Sequence, residues 1–164
     1  MGNVSPTGTI VVAAEPSAFS EVLAQFSDRV RASTLKRLRL VKASDRGWRA
    51  REGLLSFADV LSHLVDADRW LFSLLDGKQA APTSVASGRG NPEEWDILLE
   101  ELVRLGAERA RRLGALTERD LFERRIETDR HGVLPLLQLI LRYSLDHESH
   151  HRGALQLALR LRYK

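Results

Sequence analysis

The chain has no cysteine and a single methionine. The missing thiol excludes a disulfide framework, a thiolate zinc site and a cysteine nucleophile together, so any sulfur chemistry must be borrowed from a bound small molecule. Aromatic residues are also scarce, at 6%, and no segment approaches the roughly 20 apolar residues of a membrane span. The apolar run Ile10 to Ala14 has no basic residue ahead of it and is followed by Glu15-Pro16, which is not the pattern of a secretory signal. A cytoplasmic protein with no membrane partner is the expectation. Charge of one sign is lacking too: 25 Lys plus Arg against 22 Asp plus Glu leave only +3. With no interleaved aromatics, nothing in that balance demands nucleic acid.

What is present suits one all-α domain. A chain of 164 residues can bury a self-sufficient core. Residues 1–16 have no period and read as a flexible or extended arm, with a short strand conceivable there, and residues 17–164 are expected to form the domain. Phe19, Val22, Leu23, Phe26, Val30, Leu38 and Val41 recur at helical spacing and predict a first helix over 17–41. Ser56 with Asp59 three residues on reads as a capping box opening a second helix to about Leu75. Gly77, Pro82, Gly88 and Gly90 mark a long loop, after which Asn91-Pro92-Glu93-Glu94 opens a third helix. Residues 117–132 read as irregular or a short helical turn. A fourth helix is expected over Val133 to Leu161, with Pro135 in its first turn.

Three of the five histidines fall within five residues, in Asp146-His147-Glu148-Ser149-His150-His151-Arg152-Gly153. Stepping back from His147 at helical spacing gives Ser144, Ile140, Leu137 and Val133; stepping forward gives His151, Leu155 and Ala158. His147 and His151 therefore face inward one turn apart, close enough to share one metal ion. Packed against each other without a metal, they would leave several ring nitrogens in need of buried partners. His63, on the inward stripe Val60, His63, Ala67, Trp70 and Leu74, is the best third ligand. At about 1.5 Å per residue, His63 lies roughly 9 Å from the start of its helix, and the His147 to His151 pair roughly 18 Å from the end of the last one. Those levels match better if helices 2 and 4 are antiparallel. With helices 1 and 2 taken as one antiparallel pair and helices 3 and 4 as another, the result is an up-down-down-up four-helix bundle. Its long crossover, between helices 2 and 3, could span on the order of 50 Å extended against the roughly 30 Å needed.

Trp48 in the first connection, the stretch Ser56-Phe57-Ala58-Asp59-Val60-Leu61-Ser62-His63-Leu64-Val65-Asp66-Ala67-Asp68-Arg69-Trp70 and then His147-Glu148-Ser149-His150-His151-Arg152-Gly153 resemble the DinB/YfiT-like family of metalloenzymes, from about residue 17 to the end. The resemblance implies a four-helix bundle of up-down-down-up topology, often a homodimer, with one divalent metal on His63, His147 and His151. Some members resemble S-transferases and isomerases that use bacillithiol or mycothiol. Ala154, where many members have Gln after His-Arg-Gly, is a departure.

Three neutral imidazoles leave the charge of an ion uncancelled and a coordination position open, and an open cation acidifies the water or thiol that fills it. Three-histidine sites accept Zn²⁺, Ni²⁺ and other first-row ions. The leading expectation is a thiol-cofactor-dependent transferase or isomerase acting on a small-molecule substrate. A metal-dependent hydrolase is the alternative: His147-Glu148-Ser149-His150-His151 satisfies H-E-x-x-H, which makes Glu148 a candidate base, though no histidine or acid follows to complete a peptidase site. The third reading is a non-enzymatic metal-binding or dimerisation module. Arg152 is the candidate for holding a substrate carboxylate. Asp66 and Asp68 are surface acids or acceptors for a ligand imidazole; His150 points some 60° from His147 and pairs with an acid, lines an interface or replaces a ligand; His131 reads as loop.

Overall fold

A computed structural model describes residues 17–78, 90–128 and 132–164; the N-terminal arm, with the strand considered there, and His131 lie outside the described residues. Three long helices come first. The first, α1 (Ala18–Leu38), starts where the Ser17 side chain accepts the Ser20 N–H and ends three residues short of Val41. The second, α2 (Phe57–Leu75), opens on the expected capping box of Ser56 and Asp59. The third, α3 (Trp95–Gly114), follows a 3-10 turn, Pro92–Glu94, whose preceding Asn91 side chain accepts the Glu93 N–H.

The region read as irregular or a short helical turn holds such a turn and, after it, strands that its composition does not announce. A short helix, α4 (Glu118–Glu123), has its own capping box from Thr117 and Asp120. An antiparallel hairpin then joins β1 (Arg125–Thr128) to β2 (Gly132–Pro135), with Ile126 paired to Leu134. The last helix therefore starts at Leu136, not Val133, because Val133 to Pro135 are held in the hairpin. It runs as α5 (Leu136–Ile140), a π-helical segment (Leu141–Asp146) and α6 (His147–Arg162). The wide π turn shifts the inward stripe: Leu136, Leu139 and Ile140 are buried ahead of it and Ser144, Leu145, Glu148 and His151 within or after it. Val133 and Leu137, expected inward, are exposed and half-buried respectively.

Contacts near the helix ends set their directions. Asp45, just after α1, takes the guanidinium of Arg162 at the end of α6, and Phe19 at the start of α1 meets Phe122 of α4, ahead of the last helix, at 5.9 Å between ring centroids. So α1 and the last helix run the same way. Arg46, after α1, pairs with Asp96 at the start of α3; Arg69 pairs with Glu101, and Asp76 with Arg112, so α2 and α3 run together in the opposite sense. Around the bundle, α3 and α6 each pack against both α1 and α2. The assumed pairing of helices 1 and 2 therefore gives way to one in which they sit diagonally. The core draws on Leu38, Leu61, Leu64, Leu102, Leu113, Leu136 and Ile140, all nearly inaccessible. Phe19, Val22 and Phe26 stay exposed on the outer face of α1. No helix among the described residues is long and apolar enough to cross a membrane.

Candidate metal centre

The end of the bundle that carries the histidines is tied down by contacts the sequence makes locally. Trp48 stacks on Phe57, the first residue of α2, at 5.7 Å, and the Arg162 guanidinium lies 5.7 Å from the Trp48 ring. Asp59, besides its capping role, accepts the Gly90 N–H at 3.0 Å and pairs with Arg49 at 2.9 Å. Residue 90 must be glycine, because a Cβ there would come within 2.2 Å of the Ala58 backbone. His63 is two turns into a helix whose start cannot drift.

From that fixed start, His63 of α2 meets His147 and His151 of α6. The Nε2 atoms of His63 and His147 are 2.8 Å apart, those of His147 and His151 are 3.1 Å apart, and all three ligand atoms lie within 4.8 Å of one another. The rings are steeply inclined, at 77°, 68° and 79° in the three pairs, so corners, not faces, converge. Two nitrogens bound to one ion at about 2.0–2.1 Å and at angles of 90–110° stand roughly 2.9–3.4 Å apart. The donor set fits a first-row divalent ion. One shared proton can satisfy one N–H···N contact, but three Nε2 atoms at a single point leave electron pairs facing each other.

Electrostatics keep those electron pairs available. Burial, then the neighbouring imidazoles, pushes His147 down to about 4 and His151 down to about 3; burial lowers His63 as well. All three rings are neutral near pH 7, the form a metal needs.

The family model of the DinB superfamily matches residues 27–155, well over half of the chain. The chain belongs to the DinB superfamily. No curated protein and no solved structure matches it. Within this DinB-superfamily bundle the remaining candidate residues fall into different places from those the sequence suggested.

Glu148 is 1% exposed and turns away from the role of a free base. Its carboxylate accepts from Arg31 Nε at 2.9 Å and from Arg109 Nη2 at 2.7 Å. Asp68 closes the ring, taking Arg31 at 2.7 Å and Arg109 at 2.9 Å. One charge comes from each long helix, α1, α2, α3 and α6, and the four alternate in sign around a closed ring. Arg31 also donates to the Leu102 carbonyl at 2.7 Å, and Arg109 to Ser27 Oγ at 2.8 Å. The two guanidiniums outweigh burial and hold Glu148 at about 2. A carboxylate so engaged is a poor proton acceptor, which corrects the reading of Glu148 as a base on metal-bound water. Asp68 belongs to the same ring and not to a histidine, while Asp66 is half-buried and pairs with Arg69 at 3.2 Å.

Arg109 lies toward the end of α3, near Arg111 and Arg112, yet is only 1% exposed. The ring was detectable in principle. Arg31 shares a helical stripe with Leu23, Ser27, Thr34 and Leu38, and Arg109 with Leu102, Leu105, Gly106 and Leu113, so each is a charge at a core position. Gly106 supports this: a Cβ there would approach Arg31 Cγ at 2.7 Å. His150 is exposed, its ring 5.4 Å from that of His151, and lies outside the converging set. Arg152 is half-buried beside His151.

Proposed function

We propose that this chain is a divalent-metal-dependent enzyme in which His63, His147 and His151 hold Zn²⁺ or Ni²⁺, and that it transfers or isomerises a small-molecule electrophile with the thiol of a low-molecular-weight cofactor. The observation that carries this reading is the convergence of three neutral Nε2 atoms at 2.8 and 3.1 Å. A divalent ion held by neutral ligands supplies one kind of chemistry: it lowers the pKa of a thiol or water that takes an open position. The chain's own residues then favour thiol over water. It has no cysteine, so the nucleophile is brought in. A coordinated thiol ionises without a dedicated base, whereas a water-using reaction would enlist Glu148, both of whose oxygens are engaged by arginines. Arg152 is assigned to an anionic group of the substrate, being half-buried next to His151.

The test begins with metal analysis of protein purified without a polyhistidine tag. Wild type is expected to carry stoichiometric metal and the His63→Ala and His151→Ala variants little. Conjugation of an electrophile should then require added thiol and vanish in His63→Ala. Full metal retention by both variants would sink the ligand set; turnover without any thiol would replace the transferase by a hydrolase.

A further inference from the structure

An open cavity of about 710 Å³ lies between α4, the hairpin and the last helix, and none of the three histidines lines it. That volume is in the range that accepts a small organic ligand. Its floor is apolar: Leu121 is buried, Leu137 half-buried, and Phe122 and Leu141 are 53% and 43% exposed. Apolar carbon left at water around a concave surface gains by being covered. The π segment shapes the cavity. Leu141 and Asp146, its first and last residues, both line it, although residues five apart on an α-helix diverge by about 140°. A π turn closes from i to i+5 and returns them to one side, and such turns recur at functional sites.

The charged groups on the rim indicate what covers it. Arg125 and Arg142 are exposed and line the cavity together with Asp146. None of the three takes part in an ion pair among the described residues. The nearby Arg119 and Arg124 are engaged, by Glu123 and by the Leu75 carbonyl. Arg142 rests on the Tyr143 ring, 5.5 Å from its centroid, and a guanidinium held by its face keeps its N–H edge for an anion. Two cations against one anion leave one net positive charge, which favours a singly charged anion over a neutral or cationic molecule. The planar fork of a guanidinium matches a carboxylate.

We propose that this cavity is a second binding site, which takes a monocarboxylate with a hydrocarbon body: the carboxylate pairs with the rim guanidiniums, and the body lies on Leu121, Phe122, Leu137 and Leu141. The inference goes beyond the metal reading and stands without it, since none of the lining residues is His63, His147 or His151. Two contributions must coincide. Covering apolar carbon favours any hydrocarbon, and an exposed guanidinium favours any anion weakly. A ligand that carries both parts gains from both.

Octanoate is the probe, titrated into untagged wild type at low salt and followed by amide chemical shifts, with acetate and octylammonium as comparisons. Octanoate should saturate a single site. Acetate, which lacks the body, and octylammonium, which has the wrong charge, should each bind at least about tenfold more weakly. The double variant Arg125→Gln/Arg142→Gln should weaken octanoate by a similar factor and Leu141→Gln should weaken it as well, while His151→Ala leaves it unchanged. All three substituted cavity residues are exposed, so these variants should unfold like wild type, and a loss of binding is not a loss of fold. Equal affinity in wild type and the double arginine variant overturns the proposal. Binding lost in His151→Ala would put the carboxylate on the metal and overturns it too. No binding by wild type also overturns it, and a dimer that Leu141→Gln dissociates would then assign this face to a second copy of the chain.

Discussion

Two polar clusters share the interior of this bundle, and they adjoin in the chain at His147 and Glu148. The Arg31–Asp68–Arg109–Glu148 ring is closed: two positive and two negative groups, each bonded to both neighbours, with the spare guanidinium N–H groups taken by Ser27 and Leu102. The histidine cluster is open: three neutral rings present acceptor-capable nitrogens to one point, with no acid among the described residues in hydrogen-bond contact with them. Buried polar groups that satisfy each other specify packing, whereas buried groups that converge without satisfying each other specify a ligand. The ring draws on all four long helices and fixes their levels. The open cluster can then rely on a backbone that does not move.

The largest effect should come from opening the closed cluster. Glu148→Ala leaves Arg31 and Arg109 sharing a single buried carboxylate, a loss expected to cost about 3–5 kcal/mol in urea unfolding. Replacing all four members by apolar residues of similar volume should recover most of that stability, because desolvation no longer has to be offset. If Glu148→Ala unfolds at the wild-type midpoint, the ring does not hold the helices.

Emptying the open cluster should cost little until a metal is present. In metal-free protein His151→Ala is expected to change stability little, since it removes a ring crowded against two others. With Zn²⁺ at about 100 times its dissociation constant, wild type should gain about 2.7 kcal/mol and the variant almost nothing. Thermal unfolding with and without chelator measures both, and an equal chelator response in the two proteins would erase the contrast between the clusters.

How much of this was legible in the sequence also divides along the same line. The all-α class, the capping box at Ser56 and the pairing of His63 with His147 and His151 follow from periodicity and residue type, because helical spacing places i and i+4 on one side whatever else happens. The charge ring does not follow so directly. Arg109 and Glu148 look like surface residues by type, and only their place on stripes with Leu105 and Leu155 marks them as interior. Burial of each depends on three partners from distant segments, which no local window contains. The hairpin at 125–135 and the π turn were missed for a related reason: four-residue strands have too little alternation to stand out, and a π turn arises from tertiary packing of a sequence that reads as ordinary helix.

Acid separates the clusters by pH window in metal-free protein. The folded pKa values of His147 and His151, about 4 and about 3, lie below the usual 6.5, so the unfolded chain binds the extra protons first. Their contribution is complete above about 6.5 and is lost as pH falls toward those folded values. Glu148, held at about 2 against an ordinary 4.5, contributes fully above 4.5 and loses its share as pH falls toward 2. Between pH 6.5 and 4.5 these histidines take up protons in the unfolded chain but not in the folded one, while Glu148 stays ionised. His151→Ala should therefore flatten the decline of stability in that interval, and an unchanged slope would show that His151 is not held neutral by the fold.

The smallest effect belongs to an ion pair of the same chemistry placed at the surface. Arg69 and Glu101 meet at 2.9 Å, as close as the members of the buried ring, yet the Arg69 side chain is 54% exposed. Water already solvates both charges and salt screens them, so a pair of this kind contributes only about 0–1 kcal/mol. Arg69→Ala should shift the unfolding midpoint barely, and less in high salt. A cost comparable to that of Glu148→Ala would mean that contact distance and not burial sets the strength of these pairs, and the difference drawn between a closed interior ring and an exposed ion pair would lose its physical basis.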